Sequence, residues 1–171
     1  MGRKGGEVGF VTLPRRMVLF LALAAAPASA QPRSLGVFGS WGAFRDAGRC
    51  YAIAEPHQAP AAEGWRPFAS VGHWPGRGGG QLHLRLSREK RQGSAVFARI
   101  DGRSFQLVGG GRDAWAADPR ADAEIQAAMR TGIDLVVETR STRGLLVRDH
   151  YRLRGAATAM DSAAIACAPR R

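Results

Sequence analysis

The 171-residue sequence predicts a mainly β fold: an antiparallel β-sandwich or partly open barrel with two short helices. Three observations carry that prediction. The run Gln81-Leu82-His83-Leu84-Arg85-Leu86-Ser87 places a leucine at every second position, so one side of a strand is apolar and the other polar. Asp101-Gly102 separates two β-patterned runs, and Asp-Gly is the hairpin signal because both turn residues need positive φ. The segments between β-patterned runs are mostly too short for the helical crossovers that parallel strands require.

Taken in order, the chain starts with a leader. Arg3, Lys4, Arg15 and Arg16 precede the uncharged apolar run Met17–Ala26, Pro27 and then Ala28-Ser29-Ala30. This is the order of a secretory signal peptide, with cleavage expected after Ala30. The apolar run falls short of the roughly 20 residues that cross a bilayer. Arg15-Arg16 is compatible with either general or twin-arginine export. Residues 31–171 then form one β-rich domain, with an ordered core expected over about 35–168.

Leu35–Phe44 reads as a first, irregular strand interrupted by Gly36, Gly39 and Gly42, and Cys50–Ala54 as a second that Pro56 ends. An Ala/Pro-rich loop over 57–66 leads to Phe68–Trp74, the glycine-rich segment 75–80 and the leucine strand. Val96–Ile100 and Arg103–Val108 flank the Asp-Gly turn. Asp118 is placed to cap a helix with Pro119 at its first position, Asp122 and Glu124 near its positive end, and Gly132 as its stop. Its apolar face is Ala121, Ile125, Ala128 and Met129. A second hairpin, Ile133–Arg140 and Leu145–Leu153, precedes an Ala-rich helix over 156–165 that delivers Cys167 to the sheet. The expected total is about eight strands.

Cys50 and Cys167 are the chain's two cysteines, and an even count in an exported protein points to a disulfide between them. No C-x-x-C pair and no Cys/His cluster with zinc spacing is present, so neither redox chemistry nor a metal is expected. The triplets Gly78–Gly80 and Gly109–Gly111 lack the Lys-Ser/Thr of a phosphate loop and the spacing of a dinucleotide loop, and no cofactor is expected. Ser40 lies in Phe-Gly-Ser-Trp-Gly, without the first glycine of a nucleophile elbow. Asp149 and His150 should fall on opposite faces of a strand. No catalytic residue is assigned.

The net charge is +11, and it stays strongly basic once the leader is set aside. Such a balance favours attraction to anionic glycans or lipid surfaces; nucleic acid is not an expected partner for an exported chain. Arg148, His150, Arg152 and Arg154 are expected on one strand face as a stripe facing an anion. The plainer reading is a solvated face, with Asp134 and Glu138 of the partner strand forming cross-strand ion pairs. Among Trp41, Trp65, Trp74 and Trp115, the two at loop edges, Trp65 and Trp74, are the candidates for exposed, ligand-stacking aromatics; packing is the plainer reading of all four.

The order of features resembles the invasion-associated locus B family, small exported alphaproteobacterial proteins that are largely uncharacterised. The residues that carry the resemblance are Trp41, Cys50-Tyr51, Ile133–Thr139 and Gly155 through Ala164, and it spans nearly all of residues 35–168. The chain departs from the pattern in having one cysteine near its N-terminal strands where members often have more. The Cys50–Cys167 pairing therefore rests on this chain's own cysteine count. The resemblance implies a β-rich periplasmic or outer-envelope protein, linked by name to host-cell invasion, with no catalytic residues to carry over.

The resulting expectation is a non-enzymatic envelope protein that binds another envelope protein or an anionic glycan or lipid surface. Two other classes stay open. A small periplasmic hydrolase would require His73, His83 or His150 to converge with an acid and a nucleophile. A structural envelope subunit would show an exposed apolar patch. The sequence sets no oligomeric state.

Overall fold

A computed structural model describes residues 1, 2, 5, 31–61 and 64–169. The segment expected to be a leader, apart from Met1, Gly2 and Gly5, lies outside the described residues, as do the expected cleavage site after Ala30 and the tail residues Arg170 and Arg171. Among the described residues the elements are β1 (Arg33–Phe38), β2 (Trp41–Asp46), β3 (Arg49–Ala54), β4 (Phe68–His73), β5 (Gln81–Arg85), β6 (Val96–Ile100), β7 (Arg103–Gly110), β8 (Asp113–Trp115), α1 (Pro119–Thr131), β9 (Asp134–Arg140), β10 (Leu146–Arg152) and α2 (Ala156–Ala166). No helix among them is long and apolar enough to cross a membrane.

The strands form one sheet in the order β1-β2-β3-β4-β5-β8-β7-β6-β9-β10, with every neighbouring pair antiparallel. The mainly antiparallel β class with two helices is therefore the fold. Strand β7 joins two halves: Arg103–Leu107 pairs with β6 and Val108–Gly110 pairs with β8. The sheet curls until its far regions touch. The backbone N–H of His150 in β10 donates to Gln58 O at 2.8 Å, and His57 N–H donates to His150 O at 2.9 Å. Just beyond, at the C-terminal end of β10, Trp41 Nε1 donates to Arg152 O at 2.9 Å and Ser40 N–H to Arg154 O at 3.1 Å.

The core fills the inside of this curl. Alternation directs Trp41, Ala43, Cys50, Ala52, Ala69, Val71, Leu82, Leu84 and Ala114 inward from one half, and Val96, Ala98, Ile100, Leu135, Val137 and Tyr151 from the other. Leu86, just past β5, is buried too, and fully burying one leucine is worth about 2 kcal/mol. Both helices cover the inner side of the first half, α2 against β1–β4 and α1 against β5 and α2.

Several elements follow the expected local chemistry. Asp101 and Gly102 both take positive φ, +45° and +84°, in the β6–β7 turn. Asp118 caps α1, its Oδ1 accepting from Ala121 N–H at 2.8 Å, with Pro119 at the helix start. Asp101 also accepts from Ile133 N–H at 2.9 Å, which fixes the start of β9.

Other elements differ from the sequence reading. The expected first strand is two strands, because Gly39 takes φ +58° and turns the chain back on itself. A Cβ at Gly39 would lie 2.5 Å from Arg154 O, so the turn is also too close to its neighbour for a side chain. Strand β8 has no counterpart in the expected order; its three residues are held by pairing with β5 on one side and β7 on the other. Gly109 and Gly110 belong to the end of β7, where a Cβ at Gly109 would run into the backbone of Asp113. Gly132 does end α1, at φ −77°. Its small size is needed because a Cβ would lie 2.6 Å from Ile100 Cγ2 and 3.0 Å from Leu153 Cδ1. The strand total among the described residues is ten, where about eight were expected.

The two ends of the domain complete each other. Cys50 of β3 and Cys167 at the end of α2 form a disulfide, with a Cα–Cα distance of 5.7 Å across 117 residues. Gly155 leads into α2 at φ +93°, and a Cβ there would collide with the carbonyl of Phe38 in β1.

Candidate functional site

Alternation that sends one set of residues into the core sends the other set outward. On the first half of the sheet that outward set is unusually aromatic. In register, Phe44 of β2 lies opposite Tyr51 of β3, Tyr51 opposite Gly72 of β4, Ser70 opposite His83 of β5, and His83 opposite Trp115 of β8. Phe68 of β4 lies beside them, opposite Arg85. The strand pattern ends at His73, but Trp74 folds back onto the same face: its Cη2 would be 2.9 Å from a Cβ on Gly72. Phe44 leans in the same way over Gly42, 2.7 Å from a Cβ there. Small residues thus make room for rings along the sheet.

These rings fall into two contact groups, Phe44 with Tyr51 and Phe68 and Trp115 with His83, while Trp74 lies over Gly72. Phe44 and Tyr51 stack with centroids 5.8 Å apart, and His83 stacks on Trp115 at 5.2 Å with an interplanar angle of 7°. Phe68 meets His83 edge-on at 5.1 Å. Phe44, Tyr51, Phe68, Trp74 and Trp115 are all half-buried, and none packs into the core cluster. Neither helix covers them, since both lie on the opposite side.

The charges on this face are paired locally. Asp113 Oδ1 receives His83 Nε2 at 2.8 Å and Arg85 Nε at 3.0 Å. Burial alone would raise the Asp113 carboxyl, but hydrogen bonds and charge from Arg85 and His83 outweigh it and hold the group below the usual carboxylate range. Arg85 also lies over the Phe68 ring at 5.3 Å. Arg49 bridges Asp46 at 3.4 Å and sits over Tyr51 at 4.8 Å.

At one end the face runs into a cleft of about 450 Å³ between the glycine-rich β4–β5 connection and the start of α1. Trp74 and Gln81 belong to both the face and the cleft, and Arg77, Asp118, Asp122 and Gln126 complete its polar lining. Gln126 Nε2 donates to Gly80 O at 2.9 Å, fixing the loop against the helix. A Cβ at Gly80 would lie 2.6 Å from Gln126 Oε1 and 2.9 Å from His73 Cε1, so only glycine fits. Asp122 is turned inward, where its Oδ1 accepts from Leu82 N–H at 2.7 Å. Strand β8 pairs only with residues 83–85 of β5, and Asp122 supplies the acceptor that a longer β8 would have supplied. Burial raises its carboxyl pKa, with the neighbouring Asp118 adding to the effect and the Leu82 hydrogen bond opposing it.

The second half of the sheet turns a basic face outward. Arg148, His150 and Arg152 alternate with buried Val147, Asp149 and Tyr151 along β10. Arg154 lies just past the end of β10, where buried Leu153 and exposed Arg154 continue the alternation up to the turn that Gly155 completes. Arg148 lies opposite Glu138 and donates to it at 2.9 Å, while Arg99 approaches the same carboxylate at 3.5 Å. Asp134 lies opposite Arg152. Behind the stripe, fully buried Asp149 accepts from Ser87 N–H at 2.9 Å and from Ser87 Oγ. Burial raises its pKa against the opposing effect of those hydrogen bonds and of nearby His150 and Arg88.

Neither tryptophan singled out from the sequence stands free in solvent. Trp65 is half-buried, because its Nε1 donates to Leu86 O at 2.7 Å and Arg112 covers its ring at 3.9 Å. Trp74 is half-buried over Gly72. Sequence reasoning did not find the site's other rings. Phe68, Ser70, Gly72 and Trp74 alternate two residues apart, and that aromatic–small–small–aromatic pattern was the available signal. Trp115 could not be placed without β8.

No protein-family model matches the chain, and no curated protein matches it. Among solved structures, invasion associated protein B from Bartonella henselae matches with a TM-score of 0.56 and 15% identity, over 80% of this chain and 98% of that one. The relationship at this identity is one of fold.

Proposed function

We propose that the protein is a non-enzymatic, exported envelope protein, a member of the invasion-associated locus B family, that acts by binding through the outer aromatic face of β2–β3–β4–β5–β8. The observation that carries this reading is that five aromatic side chains occupy the solvent side of a sheet whose helices both lie on the other side. Cross-strand stacking gives such rings a modest stabilising role, but burial in the core would stabilise them more than their places on an uncovered face do. The leader-like N-terminus supports export. The fold shared with the Bartonella protein supports the family reading, and the name of that protein is the source of any link to invasion.

The hydrolase alternative has one observation in its favour: His83 bonds Asp113, and Ser70 lies in register with the imidazole. Yet the ring is packed between Trp115 and Phe68, and Asp113 is shared with Arg85. The cluster serves better as part of a binding surface.

The test is a pull-down from envelope extract with residues 31–171 prepared under oxidising conditions, at low and moderate salt. Capture of a component that survives salt and fails with Trp115→Ala supports the reading. Capture that disappears with salt, or that depends on Arg148 and not on Trp115, overturns it.

A further inference from the structure

The aromatic face and the cleft at its end form one continuous surface, joined at Trp74 and Gln81. Resting on the binding role above, we propose that this surface holds a glycan: a β-linked hexose or hexosamine chain whose rings pack along Phe44, Tyr51, Trp74 and Trp115, with one end in the cleft.

Three features favour a sugar chain over a protein. The first is shape. The rings are half-buried, and Phe44 and Trp74 lean over Gly42 and Gly72, with exposed Val37 opposite Gly42 and exposed Val108 opposite Trp115 at the two edges of the row. The row crosses β2, β3, β4, β5 and β8, and at about 4.8 Å between neighbouring strands it is about 19 Å long, room for a short oligosaccharide. A cleft of about 450 Å³ is of small-ligand size.

The second is the mixture of chemistry. The C–H faces of a pyranose need apolar rings, and its hydroxyl or N-acetyl groups need fixed donors and acceptors. Gln81, Gln126, Asp118 and Arg77 provide these within the cleft, and Asp113 lies among the rings.

The third is charge. Arg49 is paired with Asp46, and Arg85 with Asp113, so this part of a basic protein offers no net attraction for an anion. Recognition here rests on stacking and hydrogen bonding and is insensitive to salt, unlike simple adhesion to an acidic surface.

The experiment is a titration of residues 31–171, which hold every strand and helix described, with cellohexaose and chitohexaose, read by tryptophan fluorescence and calorimetry. Saturable binding to at least one sugar is expected, unchanged between low salt and 0.5 M NaCl (about 0.5 M is enough to screen exposed charges). Trp115→Ala and Trp74→Ala should each weaken it about tenfold. Trp115→Phe should keep part of the affinity, and Arg148→Ala all of it. Circular dichroism of each variant separates loss of binding from loss of fold, and Trp115→Phe serves if an alanine variant does not fold.

Absence of binding to both sugars, or binding indifferent to Trp74 and Trp115, overturns the glycan. If extract capture survives salt and needs Trp115 while both sugars fail, the binding role stands and only its ligand class falls. Failure of both assays overturns both.

Discussion

Asp113 on the aromatic half of the sheet and Asp149 on the basic half are each held by hydrogen bonds, yet their acidities move in opposite directions. Asp113 lies at the surface with two cationic partners, which outweigh its partial burial. Asp149 is fully buried behind the arginine stripe with a serine for its nearest partner, and burial wins. The pair shows how the two halves differ. The basic half hides a carboxylate and displays arginines in register with acids, whereas the aromatic half hides apolar residues such as Trp41, Leu82 and Leu84 and displays rings. A positive net charge draws the eye to the arginine stripe, but strand register places Glu138 beside Arg148 and Arg99 and Asp134 opposite Arg152. Exposed ion pairs of that kind contribute little and are commonplace. Uncovered aromatics are the rarer feature.

The comparison can be broken most forcefully at the disulfide, which ties α2 to the aromatic half. On the chain-entropy model, a crosslink spanning 117 residues contributes about 5 kcal/mol. Urea unfolding with and without reductant should show a loss near that size, reproduced by Cys50→Ser with Cys167→Ser. A much smaller loss would mean that α2 is held by packing alone.

Next is Asp149→Ala, which leaves the buried Ser87 N–H without an acceptor and should cost about 3 kcal/mol. Asparagine substitutions at the two carboxylates sharpen the contrast through pH. Asp149 has a raised folded pKa, so its contribution is present below the ordinary carboxylate value and is lost as pH rises through the folded value. Asp113 has a lowered one, so its contribution is present above the ordinary value and is lost as pH falls through the folded value. Plotted against pH, stability relative to wild type should therefore slope upward for Asp149→Asn and downward for Asp113→Asn over the acid range. Slopes of the same sign would remove the contrast.

Trp115→Ala should cost about 1 kcal/mol of stability, the worth of its stack with His83, while strongly reducing binding. Arg148→Ala should cost less than about 1 kcal/mol, measured by the same unfolding curves, and leave binding intact.

Much of the fold was legible where local chemistry decides. Asp118-Pro119 opens α1, Asp101-Gly102 makes its turn, and the leucines of β5 face inward as alternation requires. The sequence failed where a distant neighbour decides. Gly132 stops α1 as the sequence reads, but the close approach of Ile100 and Leu153, a second reason for glycine there, is invisible in the sequence. Residues 113–115 are too few to signal a strand and become one only between β5 and β7. The candidate site was obscured for the same reason. Trp74 was visible at a loop edge, but its company depends on the strand order β4-β5-β8, which sets residues 83 and 115 side by side although β6 and β7 intervene in the chain. The arginine stripe was legible because it lies on a single strand, and so was its neutralisation by the acids of the adjoining one.

Gly155 has a kinetic consequence. It fits against the carbonyl of Phe38, so the β1–β2 hairpin, synthesised early, finds its last neighbour only when the final helix arrives. Cys50 likewise waits for Cys167. A growing chain therefore cannot lock its N-terminal half into place one piece at a time. The domain closes in a late, long-range step, of the kind that makes folding slow, and a chain cut short before Ala156 would expose unpacked strands for as long as it survived.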